Sequence, residues 1–390
     1  MPEIEQRLIQ QAQQALGPIT TLDCLELDNL DAHRRLGQDA RVQIHKILGC
    51  RLNNLGDRQQ VSEQIRRARK YERALESRLK LTTLDEKIRS AVQQYLLALA
   101  GWAEGAELGG FQHALLEKSV TALDLATLLQ EDEVGCQTGV LREQGGAVIL
   151  WHSEEDYEIT PNQRFDKLRL FKFRAAGGRS TCGFIYPDLL PGPTFGWQAD
   201  DYAQAVDTLH VRPVDFEDAI LPNALAWLSL YLGPLVSRKE LAQKLGPFQG
   251  GYSLTAVYKI DDQILVEKVE YANTQISACE LGTRPGESLF QTNVIRDLSL
   301  PIGVEEQTSP ESRIWNEQRM QRTARFINTI KNASQPHKMV LRMLESRLGG
   351  EAAYANRDVK AYLVLRMAPG ETSILVGAGA RTSDGNVFTA

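Results

Sequence analysis

The sequence contains few cysteines and histidines, and neither type clusters. Its 390 residues include 5 cysteines and 6 histidines, and no two cysteines have the Cys-x-x-Cys spacing. An odd number of widely spaced cysteines argues against a disulfide framework, and their separation from the histidines argues against a zinc site. We therefore predict a protein of a reducing cytoplasm that uses no metal and no other cofactor.

Long apolar runs and a strong net charge are also missing. No run approaches the roughly 20 residues that a membrane-spanning helix needs, and the polar N-terminus lacks the features of a secretory signal. The formal net charge of -6 gives no general attraction to nucleic acid or to an anionic membrane. The sequence also has no Gly-x-Ser-x-Gly nucleophile turn and no P-loop. We expect neither a nucleic acid nor a membrane as partner.

The N-terminal third of the chain has a helical pattern. In the segment 58–80, apolar residues recur at steps of three and four, at Val61, Ile65, Ala68, Tyr71, Leu75 and Leu79. Its other faces are rich in arginine and could bind nucleic acid, but interleaved glutamates favour a solvated helix face. We predict a second helix over Thr83–Ala100, which glycines from Gly101 onward interrupt, and an amphipathic stretch over Val120–Leu129.

From Gly135 onward the pattern changes to short strands joined by turns. The segments CQTGVL and AVILWH, joined by REQGG, indicate a hairpin, and KLRLFKFRA and STCGFIY indicate two more strands. Residues 187–215 contain proline and glycine, which indicates loops. Further along lie two predicted hairpins, YSLTAVYKI with ILVEKVEY and KAYLVLRMA with TSILVGAGA, and four predicted helices, Phe216–Leu232, Ser237–Leu245, Glu311–Lys331 and Pro336–Leu348. This order predicts an α+β protein whose helices cover two packed antiparallel sheets.

The junction between the two patterns, Gly135-Cys136, could be a self-processing site. Glycine places no Cβ beside the scissile carbonyl, and the Cys136 thiol could attack that carbonyl in an N-to-S acyl shift. Hydrolysis would then free the α-amine of Cys136, which has a pKa of about 8 and can act as the base for its own thiol. A lone cysteine in a strand is also commonly a small buried hydrophobic residue. The residues alone leave both interpretations open.

Several separated segments, in the same order, resemble the isopenicillin N acyltransferase family of N-terminal-nucleophile hydrolases. GCQTGVL looks like the family's processing site, and AVILWHSEEDYE resembles the strand and acidic turn that follow it. LPNALAWLSLYLGPLVSRKELAQKL and GGYSLTAVYKIDDQILVEKVEY are similar to its helix pair and central hairpin. LFQTNVI, ESRIWNEQRMQR and KAYLVLRMAPGETSILVGAGA resemble its His-Thr-Asn-His element, the following helix and the closing strand pair.

The resemblance implies an αββα sandwich of antiparallel sheets over residues 136–390, preceded by a helical segment over residues 1–135. It implies that Cys136 is the nucleophile and that the side-chain amide of Asn293 stabilises the oxyanion. Asp156 fits the family's acidic turn best as the third residue, whereas a gapless count from Cys136 leads to Glu154. A solvated turn is the alternative for these acidic residues.

The sequence also departs from the family. The His-Thr-Asn-His element reads QTNV here, and WQADDYAQAVDTLHVR replaces a strand pair rich in asparagine and glycine. His152, beside the acidic turn, could carry protons or could be structural. Ser253 and Thr255 could line a substrate pocket or simply alternate along a strand.

The expected function is hydrolysis of a small linear amide, or transfer of its acyl group, through a thioester on Cys136. The expected partners are a small-molecule amide or acyl donor and the two pieces of the cleaved chain, which would stay together as a heterodimer because apolar helix faces need a surface to pack on. The alternative is a non-enzymatic helical adaptor with a degenerate sandwich. The missing histidines favour the adaptor, and the Gly-Cys and Thr-Asn elements favour the enzyme.

Overall fold

Two antiparallel sheets and several helices make up the protein. The computed structural model describes residues 28–54, 70, 73–81, 84–108, 135–156, 169–186, 189–198, 201–211, 218–261, 263–298, 310–345 and 358–378. Within these residues the helices are α1 Asn29–Asn54, α2 Glu86–Gly105, α3 Pro222–Leu232, α4 Arg238–Leu245, α5 Pro310–Ile330 and α6 Pro336–Glu345, with a further helical stretch at 73–78. The predicted α+β class is therefore confirmed.

The strands follow one another mainly as hairpins. They are β1 Gly135–Arg142, β2 Val148–Asp156, β3 Arg169–Arg174, β4 Ser180–Ile185, β5 Phe195–Gln198, β6 Tyr202–Leu209, β7 Gly251–Ile260, β8 Gln263–Ala272, β9 Gln275–Glu280, β10 Ser288–Gln291, β11 Asp358–Ala368 and β12 Glu371–Ala378. The first sheet has the order β10-β1-β2-β11-β12, and the second has the order β3-β4-β5-β6-β7-β8-β9. Every neighbouring pair in both sheets is antiparallel.

The two sheets pack face to face, with helices on their outer faces. Alternate apolar residues of both sheets, such as Val140 and Val257, meet in one buried cluster. The outer face of the first sheet packs on α5 and α6, where Trp151 contributes to the core. The outer face of the second sheet packs on α1 to α4, around Trp227. This packing is compatible with a sandwich in which helices cover both sheets.

Helix α2 continues past the position where the sequence predicts its end. Asp85 caps its N-terminus, since the Asp85 carboxylate accepts the Lys87 N–H at 2.8 Å. Gly101 and Gly105 lie inside the helix rather than interrupting it. A Cβ on either glycine would collide with a backbone carbonyl of α1, that of Leu30 or of Arg34. The glycines therefore allow close packing of α1 on α2 instead of ending the helix.

The predicted loop at 187–215 is wrong, because it contains β5 and β6. Strand β6 is buried on both faces and contains neither proline nor glycine, because the residues that indicated loops lie before and after it. Gln204, for example, donates to the carbonyl oxygens of Gly192 and Ala226 at 3.0 and 2.9 Å. Strands β9 and β10 were not predicted either. Most of the predicted helix at 58–80, and all of Val120–Leu129, lie outside the described residues.

Candidate active site at one end of the inter-sheet interior

A polar cluster occupies one end of the space between the two sheets. Successive side chains of a strand point to opposite faces, so residues at even spacing from Val140 and Leu150 face the second sheet. In the first sheet these residues are Cys136, Thr138, His152 and Glu154, and all four are buried. From the second sheet, Asp207 of β6 and Ser253 and Thr255 of β7 face them in the same way.

Cys136 is the second residue of β1, and partners from three other elements contact it. Its Sγ lies 3.5 Å from Glu154 Oε2, to which the thiol donates. Its backbone N–H donates to Asn293 Oδ1 at 2.9 Å. Its carbonyl oxygen accepts from Arg319 Nη2 at 3.3 Å. The thiol, the amide and the carbonyl of this one residue are therefore all held in place.

Glu154 is the acidic residue that the structure brings to Cys136. The hairpin register pairs Cys136 directly with Glu154 across β1 and β2. Glu154 Oε1 accepts from His152 Nε2 at 2.9 Å, and Tyr186 donates its hydroxyl to Oε2. The solvated-turn alternative is wrong for Glu154, which is 3% exposed within a strand. Three donors on one buried carboxylate offset much of the free energy lost on removing it from water.

Asp156, the other acidic candidate, ends β2 and pairs with Asp358 of β11 in the register. Its side chain lies outside the described residues, so a catalytic role for Asp156 stays a prediction. Gly135 is the first residue of β1 and pairs with Glu155. The predicted cleavage point is therefore the first peptide bond of the first sheet's β1 strand.

His152 connects Glu154 to a second buried carboxyl group. Its Nδ1 lies 2.8 Å from Thr138 Oγ1, so both ring nitrogens have partners. Beyond Thr138 lies Asp207, whose pKa is raised to about 7, mainly by burial. The charge of Glu154 raises the pKa of Asp207 further, while His152 and Thr138 oppose the rise. Neither carboxylate oxygen of Asp207 has a hydrogen bond of regular geometry within the described residues.

Asn293 follows β10 and has both ends of its side-chain amide engaged. Oδ1 accepts from the Cys136 amide, and Nδ2 donates to the Thr208 carbonyl at 3.0 Å. An oxyanion role requires Nδ2 to turn from Thr208 towards the reacting carbonyl, so this role stays a prediction. Gln291 accepts from the buried Lys268 Nζ at 2.8 Å and donates to two carbonyls of the same turn.

Ser253 and Thr255 lie in the same interior as Cys136. Ser253 is paired with Asp207 in the register of β6 and β7, and Thr255 is paired with Lys268 of β8. Both side chains are buried, and Ser253 Oγ has no hydrogen-bond partner within the described residues. Both residues alternate along β7 on the face that meets the first sheet. Substrate contact by either residue stays a prediction.

Four residues of the cluster were not predicted as site residues: Thr138, Tyr186, Asp207 and Arg319. Arg319 had a usable signal, because Trp315, Arg319 and Thr323 recur at steps of four along a mostly polar helix. Its guanidinium lies over the Trp315 ring at 4.2 Å, and Arg319 is 1% exposed. Thr323, one turn further on, accepts from the Gln137 side chain. One face of α5 therefore fixes the start of β1.

The cluster also contains a set of metal-binding side-chain types. One ligand atom from each of Cys136, His152 and Glu154 lies within 4.8 Å of the other two.

Comparison of the sequence with protein-family models and with curated proteins gives no match. Within the described residues, no helix combines the length and apolar character needed to cross a membrane.

Proposed function

We propose that this chain is a self-processing cysteine enzyme with an N-terminal-nucleophile αββα fold. It hydrolyses a small linear amide or transfers the acyl group of that amide. The observation that carries the proposal is the environment of Cys136, whose thiol faces the Glu154 carboxylate while its amide N–H donates to Asn293. A structural cysteine needs neither contact, because a buried thiol packs as a small hydrophobic group.

Self-processing starts at the Gly135 carbonyl carbon. The Cys136 thiol passes its proton to Glu154 and attacks this carbon, forming a C–S bond as the C–N bond breaks. The departing nitrogen takes up that proton from Glu154 and becomes the α-amine of Cys136. Asn293 Oδ1 holds that nitrogen, and Arg319 holds the adjoining carbonyl, so both ends of residue 136 are fixed during the shift. Water then hydrolyses the thioester and releases a carboxylate on Gly135.

Turnover repeats the same chemistry on an external amide. The α-amine of Cys136, with a pKa of about 8, takes the thiol proton as the sulfur attacks the substrate carbonyl. The Asn293 amide and a backbone N–H stabilise the oxyanion, and the substrate amine leaves with the proton that the Cys136 α-ammonium group returns. The acyl group on sulfur then passes to water, as in a hydrolase, or to a second amine, as in an acyltransferase.

Mass spectrometry of the purified full-length chain tests the first step. Cleavage would divide the 43.6 kDa chain into pieces of about 15 and 28 kDa, in proportion to their residue numbers. Edman sequencing of the larger piece should begin CQTGV. Cys136→Ala should stay intact, whereas Cys182→Ala, a buried cysteine in the inter-sheet core, should still be cleaved.

Other outcomes of this experiment separate the alternatives. A chain that remains whole and transfers no acyl group supports the helical adaptor. If the chain remains whole but a substrate still acylates Cys136, the base for the thiol would be His152 rather than a freed α-amine. The ring already contacts Glu154 and lies close to the sulfur.

A further inference from the structure

We propose that Cys136, His152 and Glu154 form a zinc site that blocks the nucleophile. The three-ligand site stands on these side chains alone, whereas its blocking effect and a fourth ligand, the α-amine that cleavage would create on Cys136, rest on the proposed function. Thiolate, imidazole and carboxylate are the three side-chain types that bind zinc in proteins. The sequence did not indicate this site, because its ligands are not clustered along the chain in a zinc-binding pattern.

The spacing of the donor atoms suits a single ion. Cys136 Sγ lies 3.5 Å from one Glu154 oxygen, and His152 Nε2 lies 2.9 Å from the other. Ligands at zinc bond lengths and tetrahedral angles are separated by about 3.4–3.6 Å. One ligand atom from each of the three side chains lies within 4.8 Å of the other two, so the side chains would draw together around an ion. An ion would replace the hydrogen bonds with which these three groups now hold one another. All three groups are buried, so water competes weakly for the ion.

Groups behind the ligands are arranged to hold them on a metal. Tyr186 donates to Glu154 Oε2, which leaves Oε1 for the ion. His152 has to present the Nε2 lone pair and therefore carries its proton on Nδ1, from which Thr138 Oγ1 accepts. The Thr138 hydroxyl proton can then turn to Asp207, whose buried carboxylate oxygens lack a regular partner within the described residues. Zinc-binding histidines commonly donate their other ring N–H to a carboxylate. Here the hydrogen bonds run from His152 to the Asp207 carboxylate through one additional hydroxyl, that of Thr138.

Cleavage would strengthen the site. Before cleavage the nitrogen of Cys136 is an amide whose N–H donates to Asn293, and it cannot bind a metal. Afterwards the α-amine and the thiolate of the same residue can chelate one ion, and His152 and Glu154 complete four ligands. Binding releases the thiol proton and the proton of the α-ammonium group. The ion then occupies both the nucleophile and its base, so it inhibits acyl transfer.

Cobalt(II) absorption gives a readout that does not depend on activity. Purified, metal-stripped cleaved protein should bind one Co²⁺ with thiolate-to-cobalt charge-transfer absorption, and Zn²⁺ should displace it. Cys136→Ala should lose the absorption, and Cys279→Ala, which changes a half-buried cysteine on β9, should retain it. Absorption that persists in Cys136→Ala, or Co²⁺ binding by wild type without thiolate absorption, would overturn the proposal.

Zinc affinity, measured by competition with a chromophoric chelator, tests the other groups. His152→Gln should weaken binding at least tenfold, and Thr138→Val should weaken it about tenfold to a hundredfold through the lost support of His152. Thr181→Val is the matched control, a buried threonine of β4 next to the core residue Cys182. Equal affinities for wild type and His152→Gln would exclude His152 as a ligand. Circular dichroism confirms that each variant is folded.

The mass of the same samples separates this proposal from the proposed function. Uncut protein that shows thiolate-bound cobalt has the three-ligand site but contradicts self-processing. Cut protein without thiolate-bound cobalt would contradict the zinc site but not the proposed self-processing. Cut wild-type protein should bind Zn²⁺ more tightly than protein that has not yet been cut, because only the cut chain has the α-amine. The uncut sample can be the Asn293→Ala variant, or wild-type protein purified before it cleaves.

Discussion

The two ends of the inter-sheet interior use the same strands for opposite purposes. At one end β1 and β2 supply Val140 and Leu150, which pack with Val257 and Leu365 away from water. At the other end the same strands supply Cys136 and Glu154, which lie on the same face, four positions from Val140 and from Leu150. Apolar burial stabilises the first end by roughly 25 cal/mol per Å². The second end loses hydration free energy and recovers it only through matched hydrogen bonds.

Together with the proposed function, this difference implies that stability and chemistry are separable along a single strand. A change at the apolar end should lower the free energy of unfolding and leave the reactive groups in place. Removal of the Cys136 thiol at the polar end should remove the proposed reaction and alter stability far less. The following predictions test this separation, from the largest expected effect to the smallest.

Removing the proposed nucleophile should abolish the proposed self-cleavage without unfolding the protein. Cys136→Ala removes the thiol and little volume, so self-cleavage should fall below detection by intact mass after long incubation. The midpoint of denaturant unfolding should stay close to that of uncut wild type. A Cys136→Ala chain that still breaks at this bond would show that the cysteine is not the attacking group.

Truncation at the apolar end should have the reverse effect. Leu365 of β11 is fully buried between the sheets, and Leu365→Ala should destabilise the fold by about 2–5 kcal/mol. Self-cleavage should continue at its wild-type rate at temperatures where the variant remains folded. Leu97→Ala, on the exposed side of α2, is the control and should change stability little. Loss of cleavage in folded Leu365→Ala protein would mean that the two ends are coupled.

Two substitutions of Asn293 test whether its side chain only holds the Cys136 amide in position or also stabilises the oxyanion. Asn293→Ala should slow self-cleavage by about a hundredfold, because it removes both the acceptor for the Cys136 amide and the candidate oxyanion donor. Asn293→Asp keeps an acceptor and removes Nδ2. If the oxyanion role is correct, both variants should be slow in mass-spectrometric time courses of freshly translated chain. A fast Asn293→Asp chain would limit the side chain to holding the Cys136 amide.

Local sequence patterns were enough to predict most hairpins and helices, including β1 with β2 and β7 with β8. The acidic partner could also have been chosen from the sequence. The β1–β2 turn is centred on Gly145, and counting outward from it pairs Cys136 with Glu154 rather than Asp156. Local patterns failed where tertiary contacts decide, as in β6, whose buried polar side chains are satisfied by distant groups.

The assembly of the site could not be read from spacing. Cys136 and Asn293 are separated by 157 positions and meet only because β10 pairs with β1. Arg319 reaches the Cys136 carbonyl from a helix 183 positions away. Only the family resemblance connected Cys136 with Asn293 in advance, and it gave no role to Arg319, Tyr186 or Asp207.

The helices that precede β1 should remain bound after cleavage. Helices α1 and α2 share one apolar cluster with β3 and α3, so separation would expose this surface to water. The two pieces should therefore elute together on gel filtration at neutral pH, and residues 136–390 expressed alone should be insoluble or inactive. Separation under native conditions, with an active larger piece, would make residues 1–135 a disposable propeptide.

His33 of α1 is the converse case, a titratable group placed within an apolar cluster. It packs edge-on against Phe171 and Phe173 of β3, and burial lowers its pKa to about 4. The unfolded chain, with an ordinary His pKa near 6.5, binds this proton more readily, so stability falls as the pH drops from about 6.5 towards 4. The difference between pH 7 and pH 5 corresponds to about 2 kcal/mol for His33 alone.

The pH experiment has to isolate His33, because Asp207 acts in the opposite direction. Because the pKa of Asp207 is raised in the folded protein, protonation of Asp207 increases the free energy of unfolding as the pH falls. Protonation of His33, whose pKa is lowered, decreases it over the same range. Urea unfolding of wild type and His33→Leu should therefore be compared at both pH values. The variant should lose about 2 kcal/mol less than wild type between pH 7 and pH 5. Equal losses would show that His33 accepts its proton without disturbing the contact between α1 and β3, and that this apolar cluster tolerates the charge.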